Sequence, residues 1–292
     1  MSTNTRIPIR KTYKLYINGA FVRSEGGRVL PALSPDGNLL DHYAYATRKD
    51  LRDAVKAART AQPDWAKKSA YLRSQILYRA AEMLEQRKQE LIHEVHRSTG
   101  CTAADAEKET TESIDRLVYF AGWADKYTQI FGSVNPVATS HFNFSIPEPT
   151  GVVALFAPQS PSLLPVISLI APAILSGNTA IFIPSSKYPL PALTLSEILA
   201  TSDLPKGVVN ILSTVPSDLA PHAAEHLDIN AIIDASQDEA ISKTLQNGSA
   251  INLKRYQRRN LQPKDWFTAA AEDPYWILDT VEIKTAWHPI GY

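Results

Sequence analysis

The chain holds 292 residues, with 30 Lys+Arg against 30 Asp+Glu, 7 His, 20 Pro, 12 Gly and 1 Cys. A composition 44% hydrophobic and 21% charged can bury a sizeable core, which excludes a disordered chain and suggests one large domain or two ordinary ones. Zero formal net charge removes the electrostatic ground for expecting nucleic acid or an anionic membrane as partner. A single cysteine permits no intrachain disulfide and suits a reducing compartment, and residues 1–14 lack the apolar run of a secretory signal. A cytoplasmic protein is expected.

Residues 13–22 alternate and turn at Asn18-Gly19, which predicts a hairpin. Helices follow. Residues 49–60 carry Leu51, Val55 and Ala58 at helical spacing. Ser69 can cap a helix to about residue 85, with Leu72, Ile76, Leu77, Ala80, Met83 and Leu84 on one face. A third helix, 89–97, stops at Gly100, and a fourth spans 103–127 with Ile114, Leu117, Val118 and Ala121 inward. Residues 141–146 then alternate like an exposed ribbon.

Residues 149–186 contain no charge, a length that could span a bilayer. Pro158, Pro161, Pro165, Pro172 and Gly177-Asn178 divide the run, so the reading is a buried strand (152–156), a buried helix (163–175) and a second buried strand (179–183). No membrane span is expected. A helix at 190–200, a strand at 208–212, a helix at 220–226 and a strand at 231–233 continue the alternation, which predicts a doubly wound α/β sheet. After Asn247-Gly248 the order fades. Residues 252–266, with Lys254, Arg255, Arg258, Arg259 and Lys264, read as a solvated basic linker in preference to a nucleic-acid patch. Residues 278–287 read as a strand with Val281, Ile283, Thr285 and Trp287 on one face. His222 and His226 share helical spacing, but without ligand companions they read as a surface pair and no metal is expected.

Four segments carry a resemblance. They are Tyr16-Ile17-Asn18-Gly19, Glu148-Pro149-Thr150-Gly151-Val152, the run from Ile170 through Ser176-Gly177-Asn178-Thr179, and Leu204-Pro205-Lys206-Gly207-Val208-Val209-Asn210. In this order the chain resembles the NAD(P)-dependent aldehyde dehydrogenase superfamily, over roughly residues 13–241 and again at the extreme C-terminus. The resemblance implies an atypical Rossmann domain, a separate catalytic domain and a small oligomerisation sheet. The expected fold is therefore α/β: a Rossmann-like doubly wound sheet with N-terminal helices and a small protruding sheet. Its expected parts are a degenerate dinucleotide-binding domain at 1–250, with a ribbon near 130–147, a basic linker at 251–274 and an oligomerisation strand at 275–292.

The departures from that pattern shape the functional expectation. Only about 35 residues separate Gln246 from the terminal strand, where a catalytic domain on the order of 100 residues or more would be needed. The family's nucleophilic cysteine and general-base glutamate belong to that part, and Cys101, between two helices, reads as a structural connector. The oxyanion-binding asparagine of the family loop is matched by Ser160, in Pro158-Gln159-Ser160-Pro161-Ser162. The ribose-binding lysine is matched by Ile183, before Pro184, and the following glutamate by Ser186; Lys187 reads as a solvated loop residue. Thr214 and Pro216 stand where glycines are expected. The Gly-Ser-x-x-x-Gly phosphate segment reads Ala235-Ser236-Gln237-Asp238-Glu239-Ala240, so both glycines carry a β-carbon and two carboxylates enter the first helical turn. Ser236 there reads as an ordinary helix cap.

Three functions remain open. The first is a non-catalytic subunit that assembles with itself or with a full-length aldehyde dehydrogenase. The second is an NAD-dependent aldehyde oxidoreductase completed by a partner's catalytic domain, and the third a dinucleotide-binding sensor. NAD(P) is implied by the resemblance alone, and the eroded positions lead to the expectation of no bound cofactor.

Overall fold

Residues 9–291 are described in this computed structural model. After a short β1 (Thr12–Tyr13), β2 (Leu15–Ile17) and β3 (Ala20–Val22) form the expected hairpin. Asn18 and Gly19 both take positive φ, 54° and 72°, as a two-residue hairpin turn demands. β4 (Val29–Leu33) and β5 (Leu39–Ala44) pair antiparallel, and β1 joins β5 in parallel, a small sheet the sequence reading did not anticipate.

The helical half follows in the expected order. α1 (Arg48–Lys67) runs on through Pro63. α2 (Ala70–Gln86) is capped by Ser69, whose hydroxyl accepts from the Leu72 amide at 3.2 Å. α3 (Lys88–Thr99) ends on Gly100 in the left-handed conformation. α4 (Ala103–Ala121) stops earlier than its pattern suggested, and a turn leads to α5 (Tyr127–Phe131). Leu72 and Val118, both assigned to core faces, are exposed: each sits one step round from the stripe that packs.

β6 (Ser133–Asn135) and β7 (His141–Pro149) precede the nucleotide-type fold. Its elements are β8 (Val152–Phe156), α6 (Leu164–Leu175), β9 (Thr179–Ile183), α7 (Leu190–Leu199), β10 (Val209–Ile211), α8 (Pro216–Glu225), β11 (Ala231–Asp234), α9 (Glu239–Ile251) and β12 (Arg255–Arg258). One seven-stranded sheet results, in the order β12-β11-β8-β9-β10-β2-β3, its first five strands parallel. Strand alternation divides the core. Val153, Leu155, Ala180 and Phe182 pack toward α2, α4, α6 and α7, while Val152, Ala154, Phe156, Ile181 and Ile183 pack toward α1, α8 and α9. All 12 residues of α6 are buried, which accounts for the uncharged run without a bilayer. Among the described residues no helix is long and apolar enough to cross a membrane.

Two points fix the chain around β8. Gly151 has φ +130°, and a β-carbon there would lie 2.3 Å from Asn230 Oδ1, so only glycine fits. Asn178, fully buried, accepts from the Gly151 amide at 2.7 Å and donates to the carbonyls of Ala173 (3.1 Å) and Thr280 (2.7 Å). One side chain thereby ties the start of β8 and the end of α6 to the last strand.

The expected basic linker is ordered instead. Residues 255–258 form the β12 edge of the main sheet, and beyond them Trp266 and Ala271 are fully buried ahead of α10 (Tyr275–Leu278). Lys254 donates to the His226 carbonyl, and Arg255, Arg258 and Arg259 pair with Glu282, Glu239 and Asp279. Those charges serve internal contacts, which composition alone did not reveal. The last strand, β13 (Val281–Pro289), pairs antiparallel with β7 of its own chain, from Val281 opposite Pro149 to Pro289 opposite His141. The resemblance implies that such a strand meets a neighbouring subunit's ribbon; here the ribbon of the same chain pairs with it. In the resulting sheet β13-β7-β6, the β13 face that carries Val281, Ile283, Thr285 and Trp287 is buried only at Val281; Ile283 and Trp287 are 52% and 58% exposed. Among the described residues, nothing covers that face.

Candidate active site

In the main sheet the chain runs outward from β8 in both directions, to β9 on one side and to β11 on the other. The crevice beyond the carboxyl ends of β8 and β11 is thus the topological switch point at which such sheets bind ligands. Pro158 and Ser160 follow β8, Pro184 and Ser186 follow β9, and Ala235, Ser236 and Ala240 lie between β11 and the first turn of α9. The sequence-derived positions therefore meet around one crevice. Ile183 belongs to β9 itself, and its side chain is a fully buried part of the core toward α1 and α8.

The crevice rim is held by its own side chains. Gln159 Oε1 accepts from Ser185 Oγ at 3.0 Å and from the Lys187 amide at 3.1 Å, joining the loops after β8 and β9. Ser185 Oγ in turn accepts from the amides of Lys187 and Tyr188. Lys187 is exposed, as expected, with its ammonium 5.0 Å from the Tyr188 ring centre. Ser160 is exposed in a loop whose Ser160-Pro161 bond is cis. Ser213 and Thr214 face away, donating to the carbonyls of Ala44 and Ala46.

At α9 the cap is Asp238, not Ser236. The Asp238 carboxylate accepts from the amides of Ala240 (2.9 Å) and Ile241 (3.1 Å), the groups a bound phosphate would use. Ser236 is drawn back to buried Asp234, which accepts from the Ser236 amide (2.9 Å) and hydroxyl (2.6 Å). The other Asp234 oxygen accepts from Ser242 and, at 2.9 Å, from Tyr256. Burial and the adjacent Asp234 carboxylate push the Tyr256 phenol up to about 12, so it stays a donor across the neutral range. Ala235 is fully buried, Ala240 exposed, and Glu239 is engaged by Arg258 at 2.8 Å.

A second helix start is also filled from inside. Glu109 of α4, buried, accepts from the amides of Leu163 (2.5 Å) and Leu164 (3.2 Å) at the beginning of α6. Burial raises its carboxyl above the ordinary range against the pull of those amides and Ser162.

The sequence model of the aldehyde dehydrogenase family matches residues 21–258. The chain belongs to the aldehyde dehydrogenase family. D-glyceraldehyde dehydrogenase (NADP(+)) of Thermoplasma acidophilum is 31% identical over 239 residues, 81% of this chain and 48% of that protein. Among solved structures, PnpE of Pseudomonas sp. WBC-3 is 32% identical with a TM-score of 0.79, and covers 85% of this chain and 50% of its own. An NAD+ complex of the Bacillus cereus aldehyde dehydrogenase is 26% identical with a TM-score of 0.79, over the same shares of the two chains. The chain thus spans about half the length of the relatives it matches.

Within this aldehyde dehydrogenase fold, Cys101 is half-buried in the α3–α4 connection, its carbonyl 2.7 Å from His96 Nδ1. His226 lies just past the end of α8 and with His222 lines a cavity of about 530 Å³ shared with Arg48 and Arg52. No group of three metal-ligating side chains occurs among the described residues. Sequence reasoning overlooked Gln159, Asp234 and Glu109. Each had a signal: a long amide inside the quoted loop, an acid closing an apolar strand, and an acid on a helix's inward stripe.

Proposed function

We propose that this chain is a non-catalytic subunit of the aldehyde dehydrogenase family, working in the cytoplasm and assembling with itself or with a full-length aldehyde dehydrogenase. The Asp238 cap carries the reading. A dinucleotide phosphate at α9 would have to displace a carboxylate from the Ala240 and Ile241 amides and then lie beside it. The β-carbon of Ala240, exposed in the first turn of α9, adds a steric obstacle on the same approach. The residues present therefore do not fit a bound NAD(P), and no hydride transfer is assigned to this crevice. Ser160 offers a short hydroxyl in place of an amide donor, and the cysteine, Cys101, lies in the α3–α4 connection and not in the loops after β8, β9 or β11. The exposed apolar side chains of β7 and β13 support the assembly part of the reading.

The names of the relatives favour a second reading, an NAD-dependent oxidoreductase completed by a partner's catalytic domain. Calorimetric titration with NAD+ and NADP+, and an aldehyde panel run alone and with a full-length family member from the same genome, separate the two. The non-catalytic reading expects no binding tighter than about millimolar and no turnover beyond that of the partner. Micromolar binding with turnover in the mixture would establish the second reading. Micromolar binding without turnover would point to a sensor.

A further inference from the structure

Away from the crevice, a cavity of about 270 Å³ opens beside the first hairpin, between β1, the turn after β3, and the start of β4. Lys14, Arg23 and Arg28 line it, together with Ser24 and backbone, and no lining residue is a carboxylate. Continuing the β2–β3 register by one residue from Leu15 opposite Val22 sets Lys14 opposite Arg23. Like charges directly across an antiparallel pair repel, so this placement destabilises the empty hairpin. Arg28 adds a third positive charge, its guanidinium 4.4 Å from the Tyr45 ring centre. Among the described residues none of these three forms an ion pair with a carboxylate, whereas neighbouring Lys11 and Lys49 pair with Glu197 and Glu25.

The frame that carries the cations is fixed. Asp50, buried in the first turn of α1, accepts from Ser24 Oγ (2.9 Å), the Glu25 amide (2.9 Å), the Thr47 amide (2.7 Å) and Thr47 Oγ1 (2.8 Å). The turn closes with the Gly27 amide on the Ser24 carbonyl, and the Tyr45 amide holds the Arg28 carbonyl at 3.0 Å. Arg23 and Arg28 thus leave opposite ends of a turn pinned to a helix and, with Lys14, line a concavity wide enough for a compact group.

We propose that this pocket binds a compact multivalent anion of the phosphate-ester or pyrophosphate class, whose charge relieves the Lys14–Arg23 repulsion and bridges both to Arg28. The site is separate from the crevice, and the proposal does not depend on whether the chain is catalytic. Inorganic pyrophosphate is the probe. Calorimetric titration should give saturable binding to the wild-type chain, and pyrophosphate should raise its melting temperature. The Lys14→Gln, Arg23→Gln double variant should bind at least about tenfold more weakly and, without pyrophosphate, melt no lower than wild type. The Lys56→Gln, Lys243→Gln double variant, the same loss of two positive charges at exposed positions of α1 and α9, should bind as wild type does. The assignment is overturned if wild type shows no saturable binding, if the double variant binds equally, or if sodium chloride at matched ionic strength reproduces the melting shift.

Discussion

The Arg116 guanidinium donates to the Ala271 carbonyl at 2.8 Å, linking the middle of α4 to a segment that follows the family-matched part of the chain. The same side chain, 1% exposed, reaches the Trp266 carbonyl at 3.0 Å, Ser168 Oγ at 2.7 Å and Glu272 at 3.1 Å. Its charge is thus satisfied where burial would otherwise exact a heavy penalty. Through it, residues 263–272 are bound to α4 and α6 as part of the core.

Arg116→Met should therefore destabilise the fold by about 3 kcal/mol, since it leaves two carbonyls and a carboxylate without their donor. Arg116→Lys should recover part of the loss, because one ammonium cannot span the acceptors that a guanidinium reaches. Urea unfolding checks both, with the midpoint falling at unchanged slope.

The Asp238 cap makes a gain-of-function prediction. Combining Asp238→Ser with Ala235→Gly and Ala240→Gly removes the competing carboxylate and both β-carbons while keeping a neutral cap. NAD+ affinity should rise at least about tenfold over wild type in calorimetry. The two glycines should lower stability by roughly 0.5–1 kcal/mol each, which a melting curve would register. Unchanged affinity would mean that the phosphate position is closed by something other than these three side chains.

Glu109 predicts a pH dependence. Burial raises its folded-state pKa above the value of about 4.3 expected in the unfolded chain. The native state then holds the proton more tightly, so its contribution is fully favourable below the unfolded value and declines as pH rises through the folded one. Glu109→Gln keeps an acceptor for the Leu163 and Leu164 amides and removes the titration. Its unfolding midpoint in urea, relative to wild type, should improve as pH rises above the unfolded value, and level off once the folded-state carboxyl has ionised. A difference that stays flat would show that the amides cancel the effect of burial, and one that worsens as pH rises through the unfolded value would show that the amides outweigh it.

What the sequence made legible follows from the kind of information each element carries. The apolar runs of β8, β9 and α6 declare themselves because every residue is buried, and Asn18-Gly19 because a positive φ at two successive positions selects those residue types. β12 left no such trace. An edge strand needs backbone partners more than apolar side chains, and Arg255-Tyr256-Gln257-Arg258 therefore resembles a solvated tail until β11 is placed beside it. The crevice was legible as positions but not as contacts. Ala235 and Ala240 could be recognised as substitutions, yet nothing local shows that Asp238 turns back onto the Ala240 and Ile241 amides, or that Ser236 folds onto Asp234. Glu109 and Leu163 are distant in sequence, and only packing of α4 against the start of α6 brings them together.

The β13-β7-β6 sheet gives the remaining prediction. Ile283 and Trp287 lie exposed on one face, Phe142 and Ile146 on the other, while Ser145 Oγ and Thr285 Oγ1 at 2.8 Å lock the two long strands in register. A large apolar area on a sheet whose strands are already paired within the chain is suited to burial by another protein surface. We expect a dimer or higher assembly, of this chain alone or with a full-length aldehyde dehydrogenase, in light scattering coupled to size-exclusion chromatography. Trp287→Ala should weaken it by about 2 kcal/mol or more if the indole is a buried anchor, and Ile283→Lys should weaken it further by placing an ammonium in the contact. These point changes are better probes than removal of the strand, since deletion would also strip β7 of its nine-residue partner and confound assembly with folding. A wild-type chain that stays monomeric both alone and in the mixture would remove the support for assembly, leaving the exposed Trp287 without a role in it.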